Sequence, residues 1–69
     1  MEDIKKAFGN ELKKRRNFLK LSQENFAFKC NLDRTYINSV ENGNRNISLI
    51  NIEKICKALN CSISDFFNF

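Results

Sequence analysis

The chain is predicted to fold as an all-α domain of five helices. Apolar residues recur at spacings of three and four along most of its 69 residues, which is the period of a helix with one buried face. Proline is absent and glycine occurs only twice, so few positions interrupt a helix. A Ser or Asp that can cap a helix stands before four of the apolar segments, at Ser22, Asp33, Ser48 and Ser62. Together these observations predict helices and no strands.

The first helix is predicted to run from about Ile4 to Leu19. Its apolar residues are spaced by four, four and seven positions, which places them on one face: Ile4, Phe8, Leu12 and Leu19. The other faces carry the basic side chains Lys13, Lys14, Arg15 and Arg16. The pattern predicts an amphipathic helix with a basic outer surface.

Residues 22–42 predict two short helices joined by a tight turn, a helix-turn-helix. Ser22 caps the first of them, which ends at Asn31, a residue type that tolerates left-handed backbone. Asp33 caps the second, which runs to about Asn42 with Gly43 as its stop. The apolar or small residues that would hold the pair together are Phe26, Ala27, Cys30, Leu32, Ile37 and Val40.

The remaining residues predict two more helices after a polar connection. Ser48 caps a fourth helix that ends at Asn60, and its apolar stripe consists of Leu49, Ile52, Ile55, Cys56 and Leu59. Ser62 caps a last short helix, with Asp65 at the third position and with the apolar residues Ile63, Phe66 and Phe67.

Length and composition restrict the class of protein. A chain of 69 residues forms one domain, and no apolar run approaches the roughly 20 residues of a membrane span. The start of the chain does not resemble a signal peptide, which predicts a cytoplasmic protein. The three cysteines, Cys30, Cys56 and Cys61, lack a CxxC spacing and histidine is absent, so we expect reduced, packed thiols and no metal site.

The net charge of +4 lies entirely in the first part of the chain. Residues 1–29 hold eight basic and four acidic side chains, whereas residues 30–69 hold four of each. A basic half is typical of proteins that bind a polyanion such as nucleic acid. An ordinary solvated helix face would explain the same charges equally well.

Several segments resemble one family. The runs FGNELKKRR, LSQENFA, YINSVENG, RNIS and IEKICKALNCSISDFF, which extend from Phe8 to Phe67, are similar to helix-turn-helix proteins of the Cro and lambda-repressor type, also called the xenobiotic-response-element family. Within that family, NLDRTYINSVENGNRNIS most resembles the controller proteins of restriction-modification systems. The resemblance implies a compact five-helix, lambda-repressor-like DNA-binding domain in a small homodimer that activates or represses promoters.

The sequence departs from the family at a few positions. Asn31 and Lys20 stand where the family usually has Gly, and Cys56 stands where Ala is common. None of these changes removes a DNA contact. Lys20 implies a non-glycine residue at an awkward backbone position or a differently wound helix end.

Base contacts are expected from the exposed face at the start of the third helix, because that end of a recognition helix lies closest to the base edges. That face carries Arg34, Thr35, Asn38 and Ser39. Arg34 suits guanine O6 and N7, Thr35 suits a thymine methyl, and Asn38 suits adenine or a phosphate.

Contacts to the DNA backbone are expected from residues around this face. Gln23 stands at the start of the second helix, where backbone N–H groups favour a phosphate. The other candidates are Tyr36, Asn42, Asn44, Arg45 and Asn46. Tyr36 could instead pack in the core, since it lies beside Ile37.

The resemblance also implies an ion pair and a dimer. Arg16 and Glu41 would form a partly buried pair between the first and third helices. The apolar residues of the C-terminal part exceed what so small a core absorbs, which predicts a dimerisation surface at about 47–69 with Ile50, Ile63, Phe66, Phe67 and Phe69. The alternative is that these phenylalanines all fold inward.

The sequence therefore predicts a homodimeric transcriptional regulator that binds a palindromic double-stranded operator, in a bacterial or phage-encoded, nucleoid-associated setting. The resemblance favours the controller of a restriction-modification system. A phage-type or chromosomal repressor, or a DNA-binding antitoxin with a protein partner, are the alternatives. An activator would also contact RNA polymerase, and no motif marks a surface for that contact. Without histidine, a Gly-rich loop or a carboxylate pair, we expect neither an enzyme nor a cofactor or small-molecule ligand.

Overall fold

A computed structural model describes residues 3–69 of the chain. Its elements are α1 (Ile4–Phe18), α2 (Gln23–Cys30), α3 (Arg34–Glu41), α4 (Leu49–Leu59) and α5 (Ile63–Phe66). Over the described residues there is no strand, and the predicted all-α fold of five helices is confirmed. None of these helices is long and apolar enough to cross a membrane.

The predicted caps set the helix starts. Each of the four predicted cap residues accepts a hydrogen bond from a backbone N–H in the first turn of its helix: Ser22, Asp33, Ser48 and Ser62. Asp3 does the same for α1. Each such bond satisfies one of the amide groups that a helix start leaves unpaired, which stabilises the helix by about 1 kcal/mol.

Left-handed residues set the helix ends. Asn31 follows α2 with φ of 60° and Asn60 follows α4 with φ of 58°. Lys20 also has a positive φ, of 59°, beyond the end of α1. The awkward backbone position expected at Lys20 is therefore present, and a lysine occupies it at a steric cost that glycine would avoid.

The helices enclose one core. Helix α1 packs on α3, α2 packs on both α3 and α4, and α4 packs on α5. Large side chains without exposed surface fill the centre: Leu12, Phe26, Ile37, Val40, Ile55 and Phe66. At Gly9 the backbones of α1 and α3 come together, since a Cβ there would lie only 2.4 Å from the carbonyl oxygen of Val40.

Three apolar residues that the helical periodicity places in the core are exposed instead. Ile4 is the first residue of α1, Leu19 follows its last residue, and Leu49 is the first residue of α4, where it is 81% exposed. Each lies at a helix end, beyond the stretch that the neighbouring helices cover. Periodicity identified the correct face but overestimated its length.

The assignment of Phe66 to the dimer surface is wrong. Its side chain has no exposed surface, and its ring centre lies 4.6 Å from that of Phe8. The guanidinium of Arg15 covers the ring at 5.3 Å from its centre. Helix α5 therefore folds Phe66 back against α1, and the residue belongs to the core of the monomer.

The three cysteines are free thiols. Cys30 and Cys56 are buried, and burial raises the pKa of each thiol to about 11. A thiol with so high a pKa holds little thiolate at neutral pH and is chemically inert. These two residues therefore pack as small apolar side chains, as expected from the sequence.

Candidate nucleic-acid interface

The exposed face of α3 is fixed by what its opposite face buries. Ile37 and Val40 point into the core, so the other side of this eight-residue helix faces solvent. Arg34, Thr35 and Asn38 are exposed on it, and Ser39 is half-buried. The four residues expected to read bases therefore include three with freely accessible side chains.

Three of these residues share a concave surface with the start of α2. Gln23, Arg34, Thr35 and Asn38 line a groove of about 310 Å³. Helices α2 and α3 meet here because Ser22 and Asp33 start them at fixed positions and Asn31 turns the chain between them. The groove thus joins one residue expected to contact phosphate to three expected to contact bases.

A buried ion pair fastens α1 to the end of α3. The Arg16 Nε donates to Glu41 Oε2 at 2.6 Å, and Arg16 Nη2 donates to Glu41 Oε1 at 3.0 Å. A third N–H group of Arg16 donates to the carbonyl oxygen of Leu21 at 2.7 Å. The hydrogen bonds to Glu41 raise the pKa of Arg16 against the opposing effect of burial. The pair expected between Arg16 and Glu41 is present and has bidentate geometry.

Glu41 also begins a chain of amide side chains, which we call the amide chain and which consists of Gln23, Asn38 and Asn42. Gln23 Nε2 donates to Glu41 Oε1 at 3.0 Å, Asn38 Nδ2 donates to Gln23 Oε1 at 3.2 Å, and Asn42 Nδ2 donates to Asn38 Oδ1 at 3.2 Å. Because a carboxylate only accepts hydrogen bonds, it orients every amide in the chain.

The sequence placed these three amides as separate DNA contacts and did not reveal their connection. Asn38 and Asn42 are four residues apart on one helix, a spacing that could have suggested their contact. The bond from Asn38 to Gln23 crosses from α3 to α2 and depends on the packing of the two helices. Each amide keeps an N–H group that this chain of bonds does not use, which leaves donors for DNA.

Tyr36 packs its ring against Arg45 and uses its hydroxyl group in a hydrogen bond. Its half-buried ring lies under the guanidinium of Arg45, whose Cζ is 4.7 Å from the ring centre. Its hydroxyl accepts a hydrogen bond from Asn51 Nδ2 at 3.0 Å, and its own hydrogen stays available to another acceptor. Asn51 of α4 did not appear among the sequence candidates, because nothing local indicates that it reaches Tyr36.

The connection between α3 and α4 continues the polar surface. Asn42, Asn44, Arg45 and Asn46 are all exposed. Gly43 lies among them with φ of 74°, and a Cβ there would approach Lys6 Cγ to 2.7 Å. The glycine therefore lets this connection turn close beside α1.

Several apolar side chains on α4, on α5 and after α5 are exposed or half-buried. Ile50 is 68% exposed, Ile63 and Phe69 are about half exposed, and Phe67 is half-buried. Leu49, which the sequence assigned to the core, adds to this surface. We define the apolar end surface as Leu49, Ile50, Ile63, Phe67 and Phe69.

The arrangement of α2 and α3 defines a class of protein: a helix-turn-helix domain whose second helix presents polar side chains on an exposed face, as a recognition helix does. The sequence profile described as "Helix-turn-helix" matches residues 12–66. The chain therefore belongs to the helix-turn-helix family, which consists of DNA-binding regulators rather than enzymes.

Similar proteins narrow the class. The control protein C.MunI from a Mycoplasma species is 54% identical over 69 residues, covering 99% of this chain and 93% of that protein. The restriction-modification controller protein C.AhdI from Aeromonas hydrophila has a crystal structure with a TM-score of 0.91 and 41% identity, covering 96% of this chain and 100% of that one.

A third relative has been solved with DNA. The restriction-modification controller protein C.Esp1396I, as a tetramer in complex with its natural 35 base-pair operator, matches with a TM-score of 0.87 and 36% identity over 97% of this chain and 88% of that one. The resemblance to restriction-modification controllers inferred from the sequence is confirmed by these similarities.

Proposed function

We propose that this protein is a homodimeric, sequence-specific DNA-binding regulator that controls a restriction-modification system. It acts in the bacterial cytoplasm on a palindromic operator. Its similarity to control proteins over almost the full chain favours this role over that of a phage-type repressor or an antitoxin.

The observation that carries the proposal is the preset polar face of α3. Side chains on an ordinary solvated helix move freely, whereas Asn38 is held through Gln23 by a carboxylate that is itself paired with Arg16. Fixing the amides before DNA arrives lowers the entropic cost of ordering them in the complex. Such preorganisation suits a surface that reads bases.

Each part of the face has a role in the proposed complex. Arg34 and Thr35, at the start of α3, contact base edges in the major groove, and Asn38 and Ser39 contact the next bases along the helix. Gln23 and Asn42 use their remaining N–H groups on phosphate oxygens. The polar residues of the connection extend these backbone contacts: Asn44, Arg45 and Asn46.

Tyr36 contributes to the position of the connection. Its hydroxyl hydrogen reaches a phosphate while its oxygen accepts from Asn51, so one side chain joins the DNA, α3 and α4. Arg45 lies flat over its ring, which directs the guanidinium along the same surface.

The dimer is proposed to form through the apolar end surface. Apolar side chains that are about half or more exposed are unfavourable in water. A contact between two subunits related by a twofold axis would bury them. Two recognition helices in such a dimer would face half-sites about 34 Å apart. Phe66 supports this surface from within the core rather than contacting the partner.

The proposal is tested by selecting duplexes from a random DNA library with the purified protein. We expect recovered sequences to contain an inverted repeat, and we expect binding at about 150 mM salt to be at least about 1,000-fold tighter than to a scrambled duplex. Equal affinity for both duplexes would contradict the proposal.

Footprinting on DNA that flanks the protein's own gene tests the regulatory part. A controller protects two half-sites about one helical turn apart close to a promoter. Protection elsewhere, with none near this gene or a neighbouring endonuclease gene, would leave a DNA-binding protein but not a restriction-modification controller.

A further inference from the structure

The surface proposed to bind DNA carries few cations. Of its ten side chains on α2, α3 and the connection, only Arg34 and Arg45 are positively charged. If Arg34 contacts a base, a single arginine remains for the phosphates. Neutralisation of phosphates supplies a large share of the affinity of most DNA-binding proteins, so further cations are needed nearby.

The positive charge of the chain lies mainly in α1, but several of its cations are already used. Arg16 is paired with Glu41, and Arg15 donates to both Glu11 and Asp65. Lys14 lies 3.5 Å from Glu11. By contrast, Lys6 and Lys13 are exposed, and no ion pair is found for either within residues 3–69.

Lys6 and Lys13 lie beside the proposed DNA surface. Together with Asn10 they line a groove of about 260 Å³ whose other wall is Glu41 and Asn42. Their spacing of four and three residues places all three on one face of α1. The carboxylate of Glu41 is neutralised by Arg16, so this groove carries a positive charge overall.

Two glycines explain why α1 comes so close to this surface. At Gly9 the helix meets the backbone at the end of α3, where a Cβ would collide with the carbonyl oxygens of Val40 and Glu41. At Gly43 the connection passes Lys6 without room for a Cβ. Both contacts fix the basic face of α1 next to Asn42.

We propose that Lys6 and Lys13, with Asn10 between them, form a second phosphate-binding edge that contacts the DNA backbone beside the half-site read by α3. The proposal rests on the proposed function, because it extends the same interface. It places two cations of the basic first half of the chain on phosphates at the flank of each half-site. Contacts of this kind do not depend on the base sequence.

The test is the salt dependence of binding to the duplex selected by the wild-type protein. The double variant Lys6→Gln and Lys13→Gln loses two phosphate contacts per subunit. Each lost contact makes the plot of log K against log salt less steep by about 0.9, so two make the fall in affinity between 50 and 200 mM about twelvefold smaller per half-site.

A matched control has the same change in charge. In Lys14→Gln with Lys57→Gln, both lysines lie away from the groove, about three-quarters exposed and close to a glutamate. We expect its salt dependence to match that of the wild type, and both variants to unfold in urea as the wild type does. Ethylation of phosphates flanking each half-site should weaken the wild type but not the Lys6 and Lys13 variant.

The outcomes separate this inference from the proposed function. If the wild type binds its selected duplex but the two double variants have equal salt dependence, the proposed phosphate contacts of Lys6 and Lys13 are wrong. The proposed function as a DNA-binding regulator is then unaffected. A wild type with no preference for any duplex would overturn the proposed function itself.

Discussion

The molecule has a polar end, formed by α2, α3 and the connection after α3, and an apolar end, formed by α4, α5 and the residues after α5. The two ends differ in the interactions that hold their side chains in place. At the polar end, a chain of hydrogen bonds that ends at the accepting carboxylate of Glu41 fixes the orientation of Gln23, Asn38 and Asn42. At the apolar end, ring packing decides which phenylalanine is buried, with Phe66 in the core and Phe69 half exposed.

This difference matches two kinds of recognition. Reading bases requires donors and acceptors in fixed positions, and a network tied to a buried ion pair provides them before the DNA is bound. A dimer contact requires apolar area with suitable shape, and side chains can adjust as the second subunit packs on them. Variants at either end test this contrast.

The largest effect is expected from Glu41→Ala. The variant leaves the Arg16 guanidinium buried without its carboxylate and removes the acceptor that orients Gln23. We expect a loss of about 3–5 kcal/mol in the free energy of unfolding, measured by urea denaturation followed by circular dichroism. A domain this small would then be close to unfolded at room temperature.

A double variant serves as control for this loss. Replacing Arg16 with Met and Glu41 with Leu removes both charges, so we expect most of the stability to be retained while DNA affinity falls, because the amide chain has lost its anchor. If Glu41→Ala cost less than about 1 kcal/mol, the pair would be behaving like a surface ion pair and the anchor role would be wrong.

The second variant, Ile50→Asp, tests the apolar end. Ile50 is 68% exposed in the first turn of α4, where an aspartate also interacts favourably with the helix dipole, so the monomer should stay folded. We expect the dissociation constant of the dimer, measured by sedimentation equilibrium, to rise about thirtyfold, which corresponds to about 2 kcal/mol.

Phe28→Asp is the matched control. Phe28 is 87% exposed but lies on α2, outside the apolar end surface. It should sediment as the wild type does. Equal effects of both substitutions would show general sensitivity to added charge and would remove the support for this dimer surface. Phe66→Asp is not a useful variant, because a buried carboxylate there would unfold the monomer.

At both ends of the molecule, the sequence predicted helix boundaries better than it predicted the burial of side chains. Helix starts followed from Ser and Asp caps, and the ends of α2 and α4 from asparagines with left-handed backbone, because each depends on a few adjacent residues. The burial of Phe66, and the exposure of Leu49, depend on which helix lies next to them. Residue type and spacing carry no information on that, so the C-terminal phenylalanines could not be separated.

The same reasoning explains the candidate site. The positions of Arg34, Thr35 and Asn38 on one helix face follow from periodicity and are those expected. The bond between Asn38 and Gln23, and that between Tyr36 and Asn51, join residues fifteen positions apart and require the packed structure. Local chemistry identifies candidate residues, while tertiary packing determines their partners.

A third variant, Arg34→Ala, distinguishes a contact to a base from a contact to the DNA backbone within the polar end. We expect it to lose about 1–3 kcal/mol of discrimination at one base pair in each half-site, measured as affinities for a panel of singly substituted operators. Arg45→Ala is the comparison, because the loss of a phosphate contact should weaken binding to every duplex by the same factor. Uniform loss with Arg34→Ala would count against direct contact with a base.

The smallest effect concerns two turn residues, one before the polar end and one within the apolar end. Lys20 precedes α2 and Asn60 lies between α4 and α5, and both have left-handed backbone. That conformation costs an ordinary L residue about 1–2 kcal/mol, whereas asparagine tolerates it through its short polar side chain. Glycine removes this cost but loses about 0.4–1 kcal/mol to the greater freedom of the unfolded chain.

Lys20→Gly should therefore raise the free energy of unfolding by about 0.5–1 kcal/mol, while Asn60→Gly should leave it unchanged or slightly lower. Thermal and urea denaturation of both variants, with operator affinity as a check that the polar face is unaltered, would measure the difference. Equal changes in the free energy of unfolding of the two variants would mean that the backbone of Lys20 is not strained. Its left-handed backbone would then cost no more than that of the asparagine between α4 and α5.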